Sequence, residues 1–293
     1  MAQPRFFKAN LSRLARGGAL DAPESDGQSA DTSTTRTGRE TRHSWQADRL
    51  VTPPPCPDGW EIGPPSYVGV GVQKAGTTWW HRQITSHPEV LAPVRKELHF
   101  FQHQSFEEFL DHHIEEYHRY FPRTEALVTG EWTPRYMLDP VVPSRVRRAA
   151  PHARILVLLR DPMKRLESNL RQYLGKAESI HPRVILEAIQ RGRYPEQLES
   201  LSRAYPRDQI LVLQFEKCVR SPESELVRTY EFIGIEPTFV PSDLREPLKQ
   251  GRGEVPHLPS DLEGVAKTLY ESDLPKLASD WPEIDLDLWT SLK

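Results

Sequence analysis

The residues best suited to holding an anion lie in the run Gly71-Val-Gln-Lys-Ala-Gly-Thr-Thr-Trp79. Lys74 supplies a point charge, Gly76 permits a tight turn, and Thr77 and Thr78 add hydroxyl donors. A glycine-containing turn between a strand and a helix leaves several backbone N–H groups pointing into one concave space, where the helix dipole favours negative charge. The expected chemistry is phosphate binding by the Lys74 ammonium and the amides of Ala75, Gly76, Thr77 and Thr78. Gly71-x-x-x-x-Gly76-Thr77-Thr78 has the outline of a Walker A loop, but Thr77 stands where that motif has its lysine. Moving the cation up into the loop argues against an ATPase or GTPase. The alternative is a glycine turn that only joins strand to helix.

A second anchor is Arg160-Asp161-Pro162-x-x-Arg165-x-x-Ser168. Arg160 ends an apolar run and offers a planar fork of donors that matches a phosphate. Ser168 falls off the apolar face of the following helix, which leaves its hydroxyl free to donate. The competing reading is a strand-end arginine paired with a surface carboxylate, beside a solvated serine. No His, Cys and carboxylate set has ligand spacing, so no metal is expected.

These residues need a scaffold, and the hydrophobic pattern specifies one. Short apolar, β-branched runs at 67–72, 127–131, 154–160 and 208–215 read as strands. Helices are expected from Thr77 to about His87-Pro88, over 105–121 and 140–150, from Pro162 to Leu174, and through 183–204. A further helix carries Leu226, Val227, Tyr230 and Phe232, and a last one covers 260–271. Asp161 followed by Pro162 is an N-cap with proline at the first helical position. The fold class is therefore α/β: a central parallel sheet flanked by helices. Ligand crevices in such sheets lie beyond the carboxyl ends of strands, where Lys74 and Arg160 fall.

Composition narrows the classes. The chain has 293 residues, 37% hydrophobic and 27% charged, with a net charge of −3. That length supports a substantial core, and that charge gives no basis for a nucleic-acid partner. No stretch approaches a membrane span of about 18 apolar residues, and residues 1–20 lack the apolar region of a secretory signal. The two cysteines, Cys56 and Cys218, have neither metal nor disulfide spacing, and a cytoplasmic location is expected. Residues 1–58 read as a disordered segment ending in a Pro-rich linker, with 59–293 as the folded domain. Phe6–Leu14 reads as a frayed terminus or a short amphipathic helix, and 242–256 as a mobile loop.

Together, Lys74-x-Gly76-Thr77-Thr78-Trp79 and Arg160-x-Pro162-x-x-Arg165-x-x-Ser168 resemble the nucleotide-binding elements of sulfotransferases that use 3′-phosphoadenosine 5′-phosphosulfate (PAPS). Lys96-Glu97-x-His99-Phe100-Phe101 is similar to the Lys-Glu-x-His-Phe-Phe segment of the carbohydrate-type branch, and Glu131-Trp132-Thr133-Pro134-x-Tyr136 to its Glu-Lys-Thr-Pro-x-Tyr segment. The resemblance covers roughly residues 66–290 and implies the P-loop-like sulfotransferase fold, with PAPS as co-substrate, PAP as product and no metal.

It also implies roles. Glu97 would be the general base, its pKa expected to be raised by the neighbouring Leu98 and Phe100, and His99 would be a second base or a packed neighbour. Lys74 would stabilise the leaving phosphate and Ala75–Thr78 cradle the 5′-phosphosulfate. Trp79 would stack on adenine or pack in the core. Arg160 and Ser168 would bind the 3′-phosphate, with Lys249, Gly251 and Arg252 closing over it. Lys96, Trp132 and Tyr136 are the expected acceptor contacts, on an acceptor bearing a hydroxyl or amine. Trp132 departs from the branch, which has lysine there; an aromatic would suit a flatter or less charged acceptor. The rival readings are a P-loop kinase and a non-catalytic nucleotide-binding protein.

Overall fold

The computed structural model describes residues 50–103, 108–174, 181–246 and 258–292, within a compact unit Leu50–Lys293. The predictions for residues 1–49, and for Lys249, Gly251 and Arg252, lie outside the described residues.

Seven strands are described: β1 (Glu61–Ile62), β2 (Tyr67–Gly71), β3 (Val90–Leu91), β4 (Pro122–Arg123), β5 (Val128–Trp132), β6 (Arg154–Leu159) and β7 (Ile210–Gln214). β1 and β4 form a small antiparallel pair. The other five make one parallel sheet in the order β3-β5-β2-β6-β7. Every residue of β2 and β7 is buried, as are Ile155–Leu159 of β6, which is why these strands read as unbroken apolar runs.

The connections place the site. After β2 the chain leaves through helix α1 (Thr77–Thr85) toward β3 on one side of the sheet; after β6 it leaves through α5 (Pro162–Leu174) toward β7 on the other. Between them come α2 (Phe100–His103), α3 (Asp111–His118) and α4 (Val142–Ala149). The carboxyl ends of adjacent β2 and β6 thus form a topological switch point, the place where sheets of this kind hold their ligands. Later helices are α6 (Pro182–Gln190), α7 (Tyr194–Ala204), α8 (Phe215–Arg220), α9 (Pro222–Ile233) and α10 (Ser260–Asp280).

Local chemistry explains two elements at this crevice. Asp161 caps α5 as expected, its Oδ1 accepting from the N–H groups of Met163 at 3.1 Å and Lys164 at 3.2 Å. The same carboxylate accepts from Ser291 N–H at 3.2 Å and from the Ser291 hydroxyl, while Glu216 takes Asp161 N–H at 3.0 Å and Trp289 Nε1–H at 3.1 Å. The last described turns, 286–292, are therefore docked beside Arg160. Gly69 in β2 is required by close approach: a Cβ there would lie 2.1 Å from the Trp132 ring.

Three features differ from the sequence pattern. β3 is a two-residue edge strand, too short to show a period. The helix expected over 105–121 is α3, beginning at Asp111, with Leu110 extended. α10 runs on to Asp280 through Pro275, because Tyr270 and Leu277 are buried on either side of the proline. Leu50 and Val51 pack on the core, and the Tyr120 hydroxyl donates to Val51 C=O at 2.6 Å. Among the described residues no helix is long and apolar enough to cross a membrane.

Candidate active site

The phosphate loop hangs between two strands. Val72 N–H donates to Leu158 C=O at 3.0 Å, and Ala75 N–H to Val72 C=O at 3.3 Å, so the turn stays on β6 as it leaves β2. Lys74 has φ +74° and Gly76 +90°, both in the left-handed region. Glycine is required at 76 on two counts, since a Cβ would also lie 2.7 Å from the Phe215 ring. α1 starts at Thr77 with no side-chain cap and no acidic residue in its first turn. Its leading N–H groups have no partner within the helix and face the crevice with the positive end of its dipole. Thr77 is buried and Thr78 exposed. Trp79 is buried edge-on against Trp80 and Phe215.

Arg160 reaches across from β6. Its Nη1 donates to Lys74 C=O at 3.1 Å, and its Cζ lies 4.9 Å over the Phe215 ring. Its Nε is buried with no partner among the described residues, a spare donor on a half-buried cation that fits an anionic ligand. Ser168 is half-buried on α5. Arg165, from the same motif, is fully buried instead, and its Nη2 donates to Ala188 C=O near the carboxyl end of α6. It ties α5 to α6.

The turn at 96–100 holds the second group. Lys96 Nζ donates to Glu97 Oε1 at 2.7 Å, and His99 Nε2 lies 3.3 Å from Glu97 Oε2. His99 Nδ1 is 2.9 Å from Gln102 Oε1, so both ring nitrogens are engaged. The pKa of Glu97 moves opposite to the sequence expectation. Burial raises it, but hydrogen bonding from His99 and the charge and hydrogen bond of Lys96 hold it at about 2. Burial opposes the His99 charge, yet Glu97, Gln102 and the Glu131 charge together raise its pKa. An imidazole so placed has Nε2 within reach of Glu97 Oε2 and Nδ1 turned to Gln102.

Trp132 and Tyr136, expected to meet the acceptor, are both fully buried. The Trp132 ring covers Gly69, with His81 edge-on at 6.4 Å, and its Nε1–H donates to Gly71 C=O at 3.2 Å. The Tyr136 hydroxyl donates to Glu131 Oε1 at 2.9 Å and accepts Phe100 N–H at 3.0 Å. Trp132 therefore packs on the strand beneath the loop. His81 is buried beside it with its pKa pushed down to about 3 by burial and the Lys96 charge, hence neutral.

Two groups escaped the sequence reading. Glu131 has no exposed surface and gathers four donors. The legible signal was a carboxylate inside an otherwise buried strand, since ionised groups go there only with partners. Arg191 is the other. It donates to Gln73 Oε1 in the phosphate loop, to Asn169 Oδ1 at 3.4 Å and to Glu187 Oε1 at 2.6 Å, while Arg135 also donates to Glu187. This links the loop to α5 and to the segment after β5. Among the described residues no group of three or more His, Cys, Asp or Glu is placed to hold a metal ion.

A family model described as "Sulfotransferase domain" matches residues 64–251. Heparan sulfate glucosamine 3-O-sulfotransferase 3A1 of Mus musculus is 32% identical over 186 residues, covering 58% of this chain and 46% of that protein. Heparan sulfate glucosamine 3-O-sulfotransferase 3B1 of Homo sapiens is 30% identical over the same length, covering 58% and 46%. The chain thus spans about half the length of the curated relatives it matches. Among solved structures, a sulfotransferase from Alicyclobacillus acidocaldarius superposes with a TM-score of 0.58 at 23% identity, covering 78% of this chain and all of that one, which speaks to the fold.

Proposed function

The chain belongs to the sulfotransferase domain family, and on that premise we propose that it transfers a sulfuryl group from PAPS to a hydroxyl or amine of an acceptor. The observation that carries this reading is the Glu97 carboxylate, contacted by Lys96 on one oxygen and His99 on the other, on a turn bonded to the strands beneath the phosphate loop. Trp132 N–H donates to Lys96 C=O at 3.1 Å and Thr133 N–H to Gly69 C=O at 2.9 Å. Base turn and anion loop thereby share one rigid floor. The relatives' names point to a sugar hydroxyl as acceptor.

PAPS supplies the sulfuryl group and the leaving phosphate; the chain supplies position and charge. The leading amides of α1 and the Thr77 and Thr78 hydroxyls hold the 5′-phosphosulfate. Arg160 and Ser168 take the 3′-phosphate, with Lys249, Gly251 and Arg252 proposed to close over it. In the transfer the acceptor oxygen or nitrogen bonds to sulfur as the bond from sulfur to the phosphate oxygen breaks. Glu97 accepts the acceptor's proton, and Lys74 stabilises or protonates the departing phosphate oxygen. An entering acceptor displaces Lys96 or His99 from one Glu97 oxygen, which restores basicity at the moment it is needed.

No metal enters this scheme. Residues 59–293 are proposed as the catalytic domain, and the free thiols of Cys56 and Cys218 favour a cytoplasmic setting. The family match favours sulfuryl over phosphoryl transfer. The test is Glu97→Gln in the full chain, with PAP affinity measured by calorimetry and sulfuryl gain by mass spectrometry. Turnover should fall by about a hundredfold or more with PAP affinity unchanged. Retained turnover removes Glu97 from its role.

A further inference from the structure

We propose that Glu131 is a positioning residue that sets the base turn 97–100 against the phosphate loop. This rests on reading Glu97 as the base. Glu131 does not touch the Glu97 side chain and acts through the backbone.

The carboxylate lies wholly out of water at the penultimate position of β5, where an apolar residue would be cheaper to bury. It accepts Leu98 N–H at 3.3 Å and the hydroxyls of Thr133 at 2.6 Å, Tyr117 at 2.9 Å and Tyr136 at 2.9 Å. Four donors saturate a carboxylate's two oxygens. Two of those hydroxyls are themselves acceptors: Thr133 Oγ1 takes His99 N–H at 3.4 Å and Tyr136 Oη takes Phe100 N–H at 3.0 Å. Three consecutive amides, at 98, 99 and 100, therefore hang on one carboxylate, directly or through one hydroxyl. A hydroxyl that donates to Glu131 must turn a lone pair toward the amide, so the two Glu131 oxygens set the polarity of the whole set.

The held turn is an unfavourable one. His99 has φ +55°, a conformation that a non-glycine residue keeps only when its surroundings impose it. Anchors on its own amide and on both flanking amides supply that constraint. Meanwhile the residues after Glu131 bond to Lys96 and Gly69, so the same three-residue unit grips the base turn and the strand that feeds the loop.

The experiment uses Glu131→Gln and Tyr136→Phe in the full chain, measuring kcat, KM, PAP affinity and amide hydrogen exchange. The glutamine keeps the shape but brings an NH2 among hydroxyl donors; the phenylalanine removes one oxygen and leaves the charge. Expected are a fall in kcat of about tenfold to a hundredfold, PAP affinity within about twofold, and faster exchange confined to residues 98–100. If Glu131→Gln does not fold, Tyr136→Phe decides. Unchanged kcat in the folded variants, or exchange rising alike across β2 and β6, overturns the proposal. Glu97→Gln separates the two ideas: retained turnover there sinks the base, while exchange at 98–100 still tests Glu131.

Discussion

Gly76→Ala tests the construction of the anion site at its tightest point. Two penalties meet there. An L-residue at φ +90° costs about 1–2 kcal/mol. The new methyl would also lie 2.7 Å from the Phe215 ring, an overlap that costs roughly 1–3 kcal/mol to relieve. The expected destabilisation is about 3 kcal/mol, read from urea unfolding followed by tryptophan fluorescence. The same ring lies under the Arg160 guanidinium and edge-on to Trp79, so pushing it disturbs both ends of the nucleotide site. PAP affinity should therefore fall about tenfold or more, consistent with loss of one charge-assisted hydrogen bond. Phe215→Leu removes the obstructing edge but not the backbone strain. In the double variant the steric part should return, giving a coupling energy of about 1–2 kcal/mol. Strict additivity of the two changes, or a Gly76→Ala protein within about 0.5 kcal/mol of wild type, would refute the reasoning.

Arg160→Ala should weaken PAP binding about tenfold to a hundredfold in calorimetry, since a hydrogen bond to a charged group contributes about 1.5–3 kcal/mol. His99→Asn removes one of the two donors that depress Glu97, so the carboxyl pKa should rise from about 2 toward the ordinary range. The acid limb of kcat/KM against pH then moves upward in the variant. The sign for stability follows the depressed pKa: the Glu97 contribution is present above its unfolded value and lost as pH falls through about 2. Acid unfolding of His99→Asn should accordingly begin at higher pH than that of the wild type.

The sheet was legible because β2, β6 and β7 are buried on both faces and write that fact as continuous apolar runs. Asp161-Pro162 announced the start of α5, since capping is local chemistry. The crevice followed from strand order, which the sequence implies only through its alternation of elements. Side-chain direction at strand ends was not legible. Trp132 sits on Gly69 only because β5 pairs with β2 in register, Gly69 opposite Trp132, a tertiary fact. The Glu97 pKa failed for a similar reason. Its apolar sequence neighbours suggested a dry site, whereas Lys96 and His99 fold back onto its two oxygens. Glu131 was visible as a residue type but not as a hub, because its donors come from Leu98, Tyr117, Thr133 and Tyr136, up to 33 residues away.

The docking of 286–292 beside Arg160 has a practical reach. Ser291 and Trp289 satisfy Asp161 and Glu216, and Tyr194, whose ring meets Trp289 at 5.8 Å, donates its hydroxyl to Arg160 C=O at 2.6 Å. Removing those contacts, by Ser291→Ala with Trp289→Phe, would withdraw support from the start of α5 and from the Arg160 backbone, more than a hundred residues away in sequence. Nucleotide affinity thereby becomes a gauge of whether residues 286–292 are seated.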